Sequence, residues 1–126
     1  MTDFPRRPIE GIVALNPLCL REDGEIDEAG IRSNVAWLAD RGIHGFVQFA
    51  SMGQMYAPSE AEFDRVTDVA VEAAAENDIT CLVGTMAPNQ REAIRRTTYA
   101  ERAGADGVML SLPYAFPVRN EWAVDF

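Results

Sequence analysis

Four short apolar runs mark the chain: Gly11–Leu15, Phe46–Ala50, Ile79–Val83 and Gly107–Ser111. Each is nearly continuous in hydrophobicity rather than alternating, the pattern of parallel strands covered on both faces. The stretches between them have the helical period. Residues 27–41 place Ile31, Val35 and Leu38 at spacings of four and three, and residues 59–76 place Phe63, Val66, Ala70 and Ala73 on one face. Pro58 precedes Ser59, and Ser59 with Glu62 forms an S-x-x-E capping box that predicts where this second helix starts. Asn89 with Glu92 predicts a similar cap for a third helix over 89–103, whose inner face, Ala93, Thr97 and Ala100, is small enough to lie close to a sheet. Residues 120–126 read as the first turns of a fourth helix.

The segment Leu38–Gln48, LADRGIHGFVQ, is echoed by Ala100–Leu110, AERAGADGVML, with Gly42 and Gly45 recurring 62 residues later as Gly104 and Gly107. A helix ended by a left-handed glycine, a short loop and a strand account for both copies, although any such loop favours glycine there. The alternation predicts an α/β fold of parallel (β/α) units in a single domain, residues 1–126.

In such folds ligands sit beyond the carboxyl ends of the strands. This points to Asn16-Pro17, Ser51-Met52-Gly53, Gly84-Thr85 and Ser111–Tyr114. A buried strand that ends in Ser51-Met52-Gly53 exposes backbone N–H groups with no neighbouring strand to accept them, and such donors nest an anion, most simply a carboxylate or phosphate. The Ser51 hydroxyl adds a group able to accept or pass a proton. A tight turn without a ligand has the same signature, and both readings stand. Tyr114 could donate to a ligand oxygen or relay a proton, or cap the core with its ring. Met52, Met55 and Met86 fall at the same end, as pocket lining or as filling beneath the loops. His44, the only histidine, precedes its strand and so lies at the opposite end of the sheet, where a surface or loop-packing role is expected.

Composition narrows the partners. Hydrophobic residues are 48% and charged residues 25%, ordinary for a globular chain. The net charge of −9 gives a surface that repels phosphate backbones, so no nucleic-acid partner is expected. No apolar run reaches the ~18 residues of a membrane span, and the two arginines near the N-terminus are not followed by the apolar core of a secretory signal; a cytoplasmic protein is expected. Cys19 and Cys81 have neither metal-ligand spacing nor a disulfide framework. All 11 basic residues are arginine; there is no lysine, so any mechanism that needs a side-chain amine requires it from elsewhere.

Several of these segments together resemble the N-terminal part of the dihydrodipicolinate synthase / N-acetylneuraminate lyase family. The features run in order: G-I-V-A-L-N-P-L (Gly11–Leu18), E-D-G-E-I-D (Glu22–Asp27), A-S-M-G-Q (Ala50–Gln54) for the family's G-[TS]-T-G-E, A-P-S-E-A-E (Ala57–Glu62) for its L-S-x-x-E, V-G-T (Val83–Thr85), the N-x-x-E-A-I helix start (Asn89–Ile94), A-G-A-D-G-V (Ala103–Val108) and L-P-Y (Leu112–Tyr114) for P-Y-Y.

The resemblance implies a (β/α)8 TIM barrel, of which these residues make the first four strands and end within the fourth helix. It also implies class I aldolase-type lyase chemistry: a lysine forms a Schiff base with pyruvate or another 2-oxo acid, and the resulting enamine attacks an aldehyde, or the reverse. By resemblance, the amides of Ser51 and Met52, with Gly53, bind the 2-oxo acid's carboxylate, while Ser51, with Tyr114, takes part in a proton relay. No cofactor or metal is implied, and a homo-oligomer is expected. The family's lysine and principal relay tyrosine belong to the sixth and fifth strands, past Phe126, so this chain by itself is expected to be inactive. Met52 for the second Thr of the motif, Gln54 for its Glu and Ala115 for the second Tyr of P-Y-Y imply a member other than the lysine-pathway enzyme, possible kin being hydratase-aldolases. Two other readings use the same alternation: a non-catalytic half-barrel that oligomerises as a binding or scaffold protein, and a flavodoxin-like nucleotide binder, which lacks a G-x-G-x-x-G after the first strand.

Overall fold

The computed structural model describes residues 7–113 and 119–126. Four strands, β1 (Val13–Asn16), β2 (Gly45–Gln48), β3 (Thr80–Gly84) and β4 (Gly107–Met109), pair in parallel in the order β1-β2-β3-β4. Helices α1 (Glu28–Asp40), α2 (Glu60–Glu76) and α3 (Gln90–Ala103) connect them, and α4 (Asn120–Asp125) follows. The sheet is open, with β1 and β4 at its edges. The expected (β/α) alternation is the one observed, with helix boundaries within a residue of the sequence reading.

The strands differ more. β2 ends at Gln48, two residues before the apolar run does, because Phe49 takes a left-handed conformation with φ 66° and leaves the sheet. β1 begins at Val13 rather than Gly11, and β4 is three residues long.

Register explains which apolar residues meet. Leu15, Val47, Leu82 and Gly107 are level across the sheet, and the neighbouring level is Ala14, Phe46 and Cys81. Phe46, Cys81 and Val83 join Ile31 and Val35 of α1, Phe63, Val66, Ala70 and Ala73 of α2 and Ala100 of α3 in the main core. Val47 and Leu82 alternate to the other face and form a small cluster with Ala50, against which Val13 and Met109 pack. Full burial of a Phe or Val side chain contributes about 1.5–3 kcal/mol, so the sandwich of sheet and helices carries most of the stability. On the outer side α2 is bound to both neighbours by charge: Arg32 of α1 meets Glu72 and Glu76, Arg65 meets Glu28, and Arg95 of α3 meets Glu60 and Asp64.

The paired glycines of the echoed segments both have left-handed φ, 72° at Gly42 and 100° at Gly104, as the repeat requires. Their loops lead to different chemistry. His44 Nδ1 accepts the Ile12 N–H at 3.1 Å at the amino end of the sheet, a packing contact. Its counterpart Asp106 is buried there and accepts the Cys81 N–H at 2.9 Å and an Arg7 N–H at 3.3 Å.

The predicted capping boxes differ in completeness. Ser59 accepts the Glu62 N–H, and the Glu62 carboxylate accepts both the Ser59 N–H and the Ser59 hydroxyl; Asn89 caps α3 with its side chain alone. The bonds from the Ser59 hydroxyl and then from its backbone hold Glu62 below its ordinary value of 4.5. A depressed carboxylate stabilises the fold above its unfolded value and loses that effect as pH falls through the folded one. Independently of that titration, Ser59→Ala removes the N-cap acceptor of α2 and is expected to lower unfolding free energy by about 1 kcal/mol. The stability gap between the wild type and Glu62→Gln should shrink as a denaturant titration is carried below pH 4.5.

Candidate functional site

The site grows out of the break in β2. Phe49 is fully buried and its ring stacks on Phe63 of α2, centroids 4.8 Å apart at 20°. A left-handed Phe is strained, and this packing is what opposes the strain. Its carbonyl also lies against Gly84 at the end of β3: a Cβ on residue 84 would be 2.0 Å from the Phe49 oxygen. Only glycine permits that approach.

Past Phe49 the backbone extends through Ala50 and coils into a 3₁₀ turn, Ser51–Gly53. The Gly53 N–H donates to the Ala50 carbonyl at 2.9 Å and the Gln54 N–H to that of Ser51 at 3.3 Å, with Gln54 itself left-handed at φ 51°. The N–H groups of Ser51 and Met52 donate to nothing among the described residues. Two consecutive free donors thus lie beyond the carboxyl end of β2. Ser51 is exposed and Met52 is 67% exposed. Gly53 is buried against the Asn16 carbonyl at the end of β1, where a Cβ would approach to 3.0 Å. Its own N–H is used inside the turn. Ser51, Gln54, Met55, Tyr56 and Ala57 line an open cleft of about 270 Å³ beside these donors.

At the ends of β1 and β3 the polar side chains are engaged by neighbouring side chains, although Leu15, Asn16 and Pro17 also line a cavity of about 370 Å³ against α1. Asn16 Nδ2 donates to Gln48 Oε1 at 2.8 Å, both buried. The Thr85 N–H donates to the Met109 carbonyl at 3.0 Å, and its hydroxyl accepts from the Thr97 hydroxyl at 3.0 Å. Ser111 is exposed, and Tyr114 lies outside the described residues. Met55 and Met86 are core residues, which leaves Met52 alone of the three methionines at the surface. Burial, with Asp27 second, pushes the Cys19 thiol up, and burial, with Asp106 second, does the same more strongly for Cys81; both remain thiols at neutral pH. Among the described residues no group of three or more His, Cys, Asp or Glu is placed to hold a metal ion. No helix among them is long and apolar enough to cross a membrane.

Arg96 escapes sequence reasoning. Arginine on a helix reads as solvent-facing, yet Arg96 is 3% exposed, on the same side of α3 as Ala93 and Ala100. Its Nη1 donates to the carbonyls of Met55, at 3.0 Å, and Met86, at 2.9 Å. Nη2 is 2.7 Å from a Glu92 oxygen, and the guanidinium lies 4.8 Å over the Phe63 ring. The one available signal was its place, three residues after Ala93 and four before Ala100, within the small apolar face.

Residues 9–125 match the sequence profile of the Dihydrodipicolinate synthetase family. An uncharacterized DapA-like lyase of Rhizobium meliloti is 40% identical over 102 residues, which are 80% of this chain and 34% of that protein. The 4-hydroxy-tetrahydrodipicolinate synthase of Methanosarcina acetivorans is 37% identical over 93 residues, 74% of this chain and 31% of that enzyme. The chain thus spans about a third of the length of the curated relatives it matches. Among solved structures, a dihydrodipicolinate synthase from Acinetobacter baumannii complexed with pyruvate superposes with a TM-score of 0.87 at 26% identity, over 94% of this chain and 40% of that one. A putative dihydrodipicolinate synthetase from Pseudomonas aeruginosa gives 0.84 at 27% identity, over 93% and 40%. The four parallel strands correspond to the N-terminal part of those TIM barrels.

The contact between Phe49 and Gly84 yields a direct test. Gly84→Ala is expected to cost about 1–3 kcal/mol, the range for forcing extra volume into a packed site, read as a lowered urea midpoint. An unchanged midpoint would show that the Phe49 carbonyl is not pinned over residue 84.

Proposed function

We propose, from the premise that the chain belongs to the dihydrodipicolinate synthetase family, that it supplies the carboxylate-binding half of the active site of a Schiff-base-forming 2-oxo-acid lyase or aldolase. The observation that carries this is the pair of unengaged N–H groups on Ser51 and Met52, beside an exposed serine hydroxyl. Two adjacent donors suit the oxygens of one small carboxylate, and preorganised amides cost nothing to align when the anion arrives. The net charge of −9 favours a small monoanion over a polyphosphate.

In this reading the amides hold the carboxylate of pyruvate or a related 2-oxo acid. Its ketone condenses with a lysine amine and expels water; loss of a proton from the adjacent carbon gives the enamine that attacks an aldehyde carbonyl. The chain contains no lysine, so the amine comes from outside these 126 residues. Ser51 hands protons on through its hydroxyl, with Tyr114 as its partner. The methionine at position 52, the glutamine at 54 and the alanine at 115 favour an apolar aldehyde and a hydratase-aldolase-like member over the lysine-pathway enzyme. A cytoplasmic homo-oligomer fits the acidic surface.

A second reading, a non-catalytic half-barrel that assembles with copies of itself, is favoured by the two unpaired sheet edges and by Leu15 and Leu110, 39% and 51% exposed.

Borohydride reduction with pyruvate separates the two. On the 126-residue chain it should leave no side-chain adduct, whereas the full-length protein that carries these residues should gain one reduced pyruvate per subunit. An unmodified full-length protein would favour the second reading. Within the full-length protein, Met52→Pro removes a donor and should weaken pyruvate binding on the order of 10²-fold, while Met52→Ala keeps the N–H and should bind nearly as the wild type does. Equal affinity for all three would sink the assignment of the amides. Ser51→Ala should lower turnover on the order of 10²-fold with adduct formation partly retained; equal turnover would remove Ser51 from the relay.

A further inference from the structure

The geometry points to Arg96 as the positioning residue of the anion-binding turn, an inference that rests on the reading of that turn given above. A buried guanidinium is costly unless its donors are used, and Arg96 spends them on two different loops. Both N–H bonds of Nη1 go to backbone carbonyls: Met55, in the segment after β2, and Met86, in the segment after β3. Glu92, one turn earlier on α3, balances the charge at 2.7 Å. A leucine or methionine would fill the same volume without fixing the direction of either carbonyl.

The turn is bracketed by this one side chain. Downstream of Ser51–Gly53, the left-handed Gln54 leads directly into the carbonyl of Met55 that Arg96 holds. Upstream, Phe49 is held in its left-handed conformation against Phe63, whose ring also lies beneath the Arg96 guanidinium. The segment that presents the Ser51 and Met52 amides is therefore clamped at both ends by a single cation–ring–ring unit, and the Met86 contact ties that unit to the loop after β3. Arg96 acts through the backbone and has no contact with Ser51 or Met52 among the interactions of the described residues.

The test uses Arg96→Met and Arg96→Lys in the full-length protein, with two readouts. In Arg96→Met the KM for pyruvate should rise on the order of tenfold or more while kcat stays within about threefold, the signature of misplaced binding groups and intact chemistry; lysine, which keeps charge and donors, should restore part of the loss. Hydrogen exchange read by mass should quicken on the order of tenfold in peptides covering residues 50–55 relative to those of α2. An unchanged KM in a folded variant, or exchange that quickens equally throughout the chain, would overturn the positioning role. If the wild type turns over no 2-oxo acid, the functional reading fails and the exchange pattern alone decides the role of Arg96. If Arg96→Met does not fold, Arg96→Lys is compared with the wild type by the same exchange measurement, and identical exchange at 50–55 together with an identical KM overturns it.

Discussion

The carboxyl end of this sheet depends on how one buried positive charge is satisfied. Arg96 enters the space between sheet and helices with its charge intact, and the low dielectric there strengthens whatever it touches and penalises whatever it leaves unpaired. Its partners are two carbonyls that no helix or strand would otherwise satisfy, one carboxylate, and the face of Phe63. Among the described residues the Nε has no partner, which is part of the cost. A residue that supplies several orphan acceptors at once makes the two loops interdependent: neither can shift without breaking a buried bond to the guanidinium that also holds the other. The same ring that lies under Arg96 also packs against Phe49 where it leaves the sheet.

Much of the fold was legible because it is periodic. The apolar spacing in α1, the Ser59–Glu62 box, the Asn89 cap and the repeated glycines at 42 and 104 are local signals with local causes, and the structure places each element where they indicate. The boundaries of the strands were less visible. Phe49 is as apolar as its neighbours, so hydropathy carries it into β2; what removes it is a backbone dihedral stabilised by a ring fourteen positions later and by a missing side chain at Gly84. Such long-range causes leave no trace in a window of the sequence.

The site divides in the same way. The exposure of Ser51 and Met52 past the end of β2 was expected from small residues at the end of a parallel strand, a topological argument. That Gly53 is packed against the Asn16 carbonyl, with its N–H bonded inside the turn, depends on a residue from another strand. Arg96 was invisible because burial of a charge is decided by partners from three separate segments. Asn16, a strand-end candidate in the sequence, is instead paired with the buried Gln48 of the neighbouring strand, whose Nε2 has no partner among the described residues.

The close approach of Phe49 to Gly84 also has an evolutionary consequence. The path of the backbone at position 49 and the absence of a side chain at position 84 are two halves of one solution, and neither is useful alone. A lineage that gained a side chain at 84 would have to straighten the chain at 49 at the same time, which would withdraw the ring from Phe63 and redirect the amides that follow. The two positions should therefore drift together among descendants, and a change at either reports that the carboxyl end of the sheet has been rebuilt.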